Sequence, residues 1–230
     1  MQNQVVISAD IIASTSLSNE DRSLLVVRLE ELLGVLEADH LRYGRLIKGD
    51  YIECVLNDAK QGLRVMLLIK TFLRAFALRS SYEDKTRIRR FEQHGGRVGL
   101  GFGELSRLVP EKGIIDGEAI YYSGRLLNDQ TTHDKERVSI KQTLFFNSKH
   151  DLLNQQMNAM LSLIGVVVDK ATSKQNEVAF FKLKGLTEAE ISKKLGKTQP
   201  VINRQSTSLG WHALDEVLMY FETVIQTYYE

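Results

Sequence analysis

Cysteine and proline are nearly absent from this chain of 230 residues, which has one cysteine, Cys54, and two prolines. One cysteine excludes an intramolecular disulfide framework, and its place inside the apolar run YIECVL reads as a buried, inert thiol. Long hydrophobic runs are missing as well. LLVV and MLLI are broken by charges within a few residues, far short of the ~20 apolar residues that a membrane helix needs. The opening MQNQVVISAD has no basic segment followed by a long apolar one. The expectation is a cytoplasmic protein with no membrane partner. Internal repeats and low-complexity tracts are also lacking. Net charge is scarce, with 30 basic against 29 acidic residues and a formal charge of +1. That argues against a whole-chain polyanion binder and leaves room for a local basic face. The histidines, His40, His94, His133, His150 and His212, show no ligand spacing, so no zinc site is assigned.

What is present is the material of a globular core, 43% hydrophobic and 26% charged. QVVIS reads as a short buried strand. Ser18 is placed to cap a helix whose first turn holds Glu20 and Asp21, and Leu25, Leu29, Leu32, Leu33 and Leu36 follow on one face. GRLIK and YIECVL read as a hairpin joined at Gly49-Asp50. A second amphipathic helix is predicted over 59–79, then a polar connector, SSYEDKTRIRRFEQHGG, with KTRIRR as a solvated loop. RVGLGFGEL reads as a close-packed glycine strand and not a dinucleotide loop, because no helix follows it. A short helix over 118–128 and a final strand, RVSIKQTLFF, complete a β-α-β-β-α-β-α-β order. This pattern is an α/β or α+β sandwich, not a strict βαβ repeat.

After Phe146 the strand pattern stops. A boundary near residue 148 divides the chain into 1–148 and an all-helical 149–230. Within the second part, Thr187 and Glu190 form a capping box, Gly196 is suited to end that helix, and Thr198 with Pro200 opens the next. Val201 and Leu209 are expected to face inward, with Gln199, Asn203, Arg204 and Ser206 outward. Asn and Gln bond adenine edges and Arg forks onto guanine, while Lys193, Lys194 and Lys197 would meet phosphates. The same residues also describe a capped helical hairpin with a solvated lysine face. Residues 175–212 resemble the helix-turn-helix of LuxR-type regulators and of sigma-factor region 4, in which the second helix enters the major groove. DNA is therefore an expected partner. Over 151–230 the basic residues number eight and the acidic nine, so one copy would bind weakly and pairing would help. The last helix, HALDEVLMYFETVIQTYY, is amphipathic and would cover the module or pair with a second copy.

In the first part, two isolated aspartates sit at strand ends, Asp10 in VVISADIIAST and Asp50 in LIKGDYIEC. Two such carboxylates can share a hard divalent cation. A strand-end Asx turn and a plain hairpin turn account for them equally. SADIIASTSLS, IKGDYIECVL, RVGLGFGEL and IDGEAIYYSGRLLN, in that order over 4–146, resemble the class III nucleotidyl cyclase homology domain. Its fusion to a helix-turn-helix resembles the SatD-type bacterial proteins. The resemblance implies a ferredoxin-like, nucleotidyl cyclase-type sandwich. It also implies Mg²⁺ or Mn²⁺ held by Asp10, Asp50 and the Ile11 carbonyl, and Arg125 stabilising charge on a reacting phosphate. A nucleotide ligand and a homodimer follow from it too. The chain departs from the family at three places: Tyr121 replaces an asparagine, Leu46 the base-reading lysine, and Ile114 its partner aspartate. Lys48 and Arg45, near the hairpin, are candidates to hold phosphate instead. The expected function is a DNA-binding regulator with a degenerate cyclase-like dimerisation and sensing domain. The alternative is an active cyclase or related phosphoryl-transfer enzyme.

Overall fold

The computed structural model describes residues 3–82, 85–129 and 140–228. The described elements run β1 (Gln4–Ile11), α1 (Asn19–Asp39), β2 (Leu41–Ile47), β3 (Tyr51–Leu56), α2 (Gly62–Ala75), α3 (Lys85–His94), β4 (Gly96–Gly103), β5 (Leu105–Val109), β6 (Ile114–Gly117), α4 (Glu118–Asp129) and β7 (Leu144–Ser148). Then come α5 (Asp151–Lys170), α6 (Ser173–Leu183), α7 (Glu188–Leu195), α8 (Gln199–Leu209) and α9 (Trp211–Thr227). The main sheet has the order β2-β3-β1-β4-β7. β1 pairs antiparallel with β3 and β4, β2 antiparallel with β3, and β7 parallel with β4. The first four strands, with α1 and α2 as crossovers, make the split βαβ arrangement of ferredoxin-like folds. β7 extends it by one strand.

Alternation along β1 assigns the two faces of the sheet. Val5, Ile7, Ala9 and Ile11 join the main core with the leucines of α1, most of α2 and the C-terminal helices. Val6 and Val55 point the other way and meet Ala119 of α4, with the small β5–β6 hairpin beside them. The helix α4 lies directly on β4. A Cβ at Gly99 would fall 2.6 Å from the Ser123 carbonyl oxygen, and one at Gly101 would overlap that of Ala119. The glycine alternation of RVGLGFGEL therefore serves close packing, as its pattern suggests.

Two expectations change. SSYEDKTRIRRFEQHGG contains helix α3, because Ile88 and Phe91 are three apart and both buried. KTRIRR is thus helical and not a loop. The strand expected over RVSIKQTLFF is realised at Leu144–Ser148, and residues 137–139 lie outside the described ones. The core also runs through position 148 without interruption. Phe146 meets Phe221 edge-on with centroids 6.4 Å apart, and the Asn3 amide donates to the Tyr228 carbonyl at 2.9 Å. A smaller core of Val178, Ile191 and Ile202 holds α6, α7 and α8 together.

The exposed edge of β7 is closed by side chains of α5. The Phe146 N–H donates to Asn158 Oδ1 at 3.0 Å, and Asn158 Nδ2 donates to the Phe146 carbonyl at 2.8 Å. One turn earlier, Asn154 Nδ2 donates to the Ser148 carbonyl at 2.8 Å. Two amides thus replace the strand that an open edge would otherwise recruit.

Candidate sites at the sheet end and on the C-terminal helices

The β2–β3 connection places Asp50. Its loop is Lys48, Gly49 and Asp50, between the paired ends Ile47 and Tyr51, and Lys48 and Gly49 have φ of 52° and 83°, the double positive φ of a type I′ turn. The expected Gly49-Asp50 joint therefore lies within the turn, with Lys48 before it, and the Asp50 N–H closes the turn on the Ile47 carbonyl at 3.3 Å. The Ile11 N–H donates to the Asp50 carbonyl at 3.0 Å, and Asp10 pairs in register with Tyr51. The two backbones are thus neighbours.

Their carboxylates have different partners. Asp10 lies opposite Arg97 of β4 and takes its guanidinium side-on. Arg97 Nε is 3.0 and 3.1 Å from the two carboxylate oxygens, and Arg97 Nη2 also donates to Oδ2. The Asp50 carboxylate accepts from Ser14 Oγ at 2.8 Å. It lines a cleft of about 190 Å³ with Ser14, Thr15, Arg22 and Lys48, and Asp10 is not part of that lining. A divalent cation shared by Asp10 and Asp50 would have to displace Arg97, so the donor set as it stands does not fit one. Among the described residues no group of three or more His, Cys, Asp or Glu side chains is arranged around a metal position.

Arg45 is engaged elsewhere. Its Nε donates to Glu53 at 2.8 Å and its Nη1 to the Gly113 carbonyl at 2.7 Å. The fork that was a phosphate candidate ties β2 to β3 and to the turn before β6. Lys48 is exposed at the mouth of the cleft. Arg125 falls within α4, and its side chain lies outside the described residues. Tyr51, beside Asp10, has its phenol pushed up by burial.

On the C-terminal helices the local signals hold. The Thr187–Glu190 capping box is formed, and Gly196 takes the left-handed conformation at φ 60°. Thr198 stands at the start of α8, though its side chain makes no capping bond. Gln199, Asn203 and Arg204 are exposed, as are Lys193, Lys194 and Lys197. Ser206 is buried at 4% exposure, and Ile202, not Val201, is the fully buried residue of that turn. The inward face is Ile202, Ser206 and Leu209. That phase removes Ser206 from the outer set and turns Thr207 and Ser208 outward in its place. Asn203 lies 3.3 Å from a Glu188 carboxylate oxygen, and Lys194 sits over the Phe181 ring.

Sequence reasoning missed the buried polar cluster behind the sheet. Lys70 of α2 is fully buried and donates to the carbonyls of His94 and Gly96 at 2.6 and 3.1 Å. His94 Nδ1 is 2.7 Å from Asp169 of α5, and Arg74 donates to the Ala171 carbonyl at 2.6 Å. A lysine directly after the apolar run Val65–Ile69 was the available signal.

No family model matches the chain, and no curated protein does. Among solved structures it is similar to a bacterial light-regulated adenylyl cyclase, at 16% identity over 63% of this chain and 75% of that one, with a TM-score of 0.41. A second structure of the same description gives 17% identity and a TM-score of 0.42, over 64% of this chain and 43% of the other. Likeness at this level leaves the fold to rest on its own strand order. No described helix is long and apolar enough to cross a membrane.

Proposed function

We propose that the chain is a DNA-binding regulator, with α6–α8 as the reading module and α8 as the helix presented to the major groove. The observation that carries this reading is the outward face of α8. Gln199, Asn203, Arg204, Thr207 and Ser208 form one exposed polar stripe, and α8 itself contributes no acidic residue to it, Glu188 of α7 meeting it only at Asn203. Lys193, Lys194 and Lys197 flank the stripe at the turn into α8. Amide and guanidinium groups on such a face match base edges, and the lysines match phosphates. A three-helix unit with its own small core holds α8 in place.

The ferredoxin-like part would serve assembly and sensing, with a nucleotide as the ligand class the motif order suggests. The hairpin cleft, where Lys48 and Arg22 stand beside the Asp50 carboxylate, is the place in it that offers cations to a phosphate. The phosphoryl-transfer alternative would need Asp10 to release Arg97 before any metal-dependent step, and nothing in the arrangement favours that release.

Binding to fragments of the source genome at low salt tests the reading. The expectation is a preferred site whose affinity falls steeply with salt, because each lysine on a phosphate releases a counterion. Uniform weak binding to every fragment, unchanged by Arg204→Ala, would sink it.

A further inference from the structure

The helix α5 seals the sheet edge with one face and leaves the other to solvent, and that outer face has an unusual composition. No charged residue occurs between Asp151 and Asp169. Leu163 is 72% exposed, Leu152 63%, Val166 49% and Val167 38%. Surface helices ordinarily carry charge on the face turned from the core. Here the solvent side reads Leu152, Gln156, Ala159, Leu163, Val166 and Lys170, with gaps of four, three, four, three and four. That is the 3.5-residue repeat of a seam between two helices.

From this we infer that α5 is a homodimerisation helix, pairing antiparallel with α5 of a second copy. The spacing reads the same in both directions about residue 161, so an antiparallel pair superposes the stripe on itself. Ala159 then faces the partner's Leu163, small against large, and Gln156 faces the partner's Val166. The helix begins with Asp151 and ends with Lys170, and Asp169 is turned inward to Lys70. Antiparallel pairing therefore places Asp151 near the partner's Lys170 at both ends, and it sets the two helix dipoles head to tail. A parallel pair would juxtapose like charges at each end. With 20 residues, α5 offers a seam about 30 Å long. Self-complementarity of this kind is what a two-fold interface requires. The Asn154 and Asn158 bonds to the sheet edge hold the helix rigidly, so its outer face is presented ready-made.

The inference does not rest on the DNA reading, because its test needs no DNA. Sedimentation of the full chain is expected to show a dimer, and Leu163→Glu is expected to give a monomer with an unchanged circular dichroism spectrum. Cysteine pairing keeps the proposal testable if Leu163→Glu fails to fold. Cys54 is fully buried, so background reactivity is low. Ala159→Cys and Leu163→Cys, made as separate chains and mixed, should cross-link across the interface. Neither should cross-link efficiently with itself. A monomeric wild type, a dimer that survives Leu163→Glu, or self-linking of Leu163→Cys, which would mean parallel helices, overturns the proposal.

Discussion

Lys70 reaches from α2 to place its ammonium nitrogen 2.8 Å from the Asp169 carboxylate on α5, in an interior where Lys70 has no solvent exposure. The pair locks a crossover helix of the sheet to the helix that seals the sheet edge. Removing one partner strands the other. Asp169→Asn should lower stability by about 3–5 kcal/mol, and Lys70→Met/Asp169→Asn together should recover part of that loss. Urea midpoints of the three variants check this.

The same pair sets a pH dependence. Burial alone would raise the Asp169 carboxyl, but the His94 hydrogen bond and the Lys70 charge outweigh it and hold it below its ordinary 3.8. Its contribution is therefore present above that value and is lost as pH falls through the depressed one. Burial pushes Lys70 down from 10.5 to about 8, the Asp169 charge offsetting only part of the effect. Between those two values the unfolded chain binds more protons than the folded one, so stability rises with pH across that window. Comparing wild type with Lys70→Met from pH 7 to 10.5 should show the wild type gaining relative to the variant. A flat difference would contradict the burial of the charge.

Asn158 stands in for a sheet neighbour, using both ends of its amide on one residue of β7. Asn158→Ala leaves a donor and an acceptor of Phe146 unpaired, at a cost of about 1–3 kcal/mol. The reopened edge should also raise the tendency to aggregate. Light scattering during thermal unfolding measures both effects.

Arg97 neutralises Asp10 on the spot where a cation would sit. Titrating Mn²⁺ into the wild type should give no thermal stabilisation that depends on Asp10. Arg97→Met should introduce such a dependence, abolished again by Asp10→Asn. Stabilisation of the wild type that vanishes in Asp10→Asn would show that the carboxylate serves metal and not the guanidinium.

On DNA, the lysines and Arg204 should separate by the kind of loss they cause. Replacing Lys193, Lys194 or Lys197 by Ala should weaken all sequences alike and lower the salt slope by about one for each phosphate contact. Arg204→Ala should cost about 1–3 kcal/mol at the preferred site alone. Salt titrations against preferred and scrambled duplexes distinguish the two.

Local signals were legible in the sequence. The leucines of α1, the Ser18 cap, the Thr187–Glu190 box and the Gly196 stop are each set by neighbours within a turn, and each is present. The ferredoxin-like arrangement of the first four strands is the one the family resemblance implied. What could not be read is set by partners far apart in the chain. Arg97 reaches Asp10 only because β1 and β4 pair in one register, and Lys70 finds Asp169 only once α5 returns to the sheet. The phase of α8 was one residue off because Val201 and Ile202 are adjacent, and local pattern alone does not choose between them. The α3 helix was hidden by its arginines, although Ile88 and Phe91 carried its period.

The meeting of Phe146 with Phe221, and of Asn3 with the Tyr228 carbonyl, closes the polypeptide into a ring. A fragment ending near 148 would bare the wall of leucines and phenylalanines on which α9 rests, and should be less soluble than the full chain. By the same geometry, a tilt of the tail caused by a bound partner would be felt where the opening strand begins, at the end of β1 away from the aspartate that Arg97 holds.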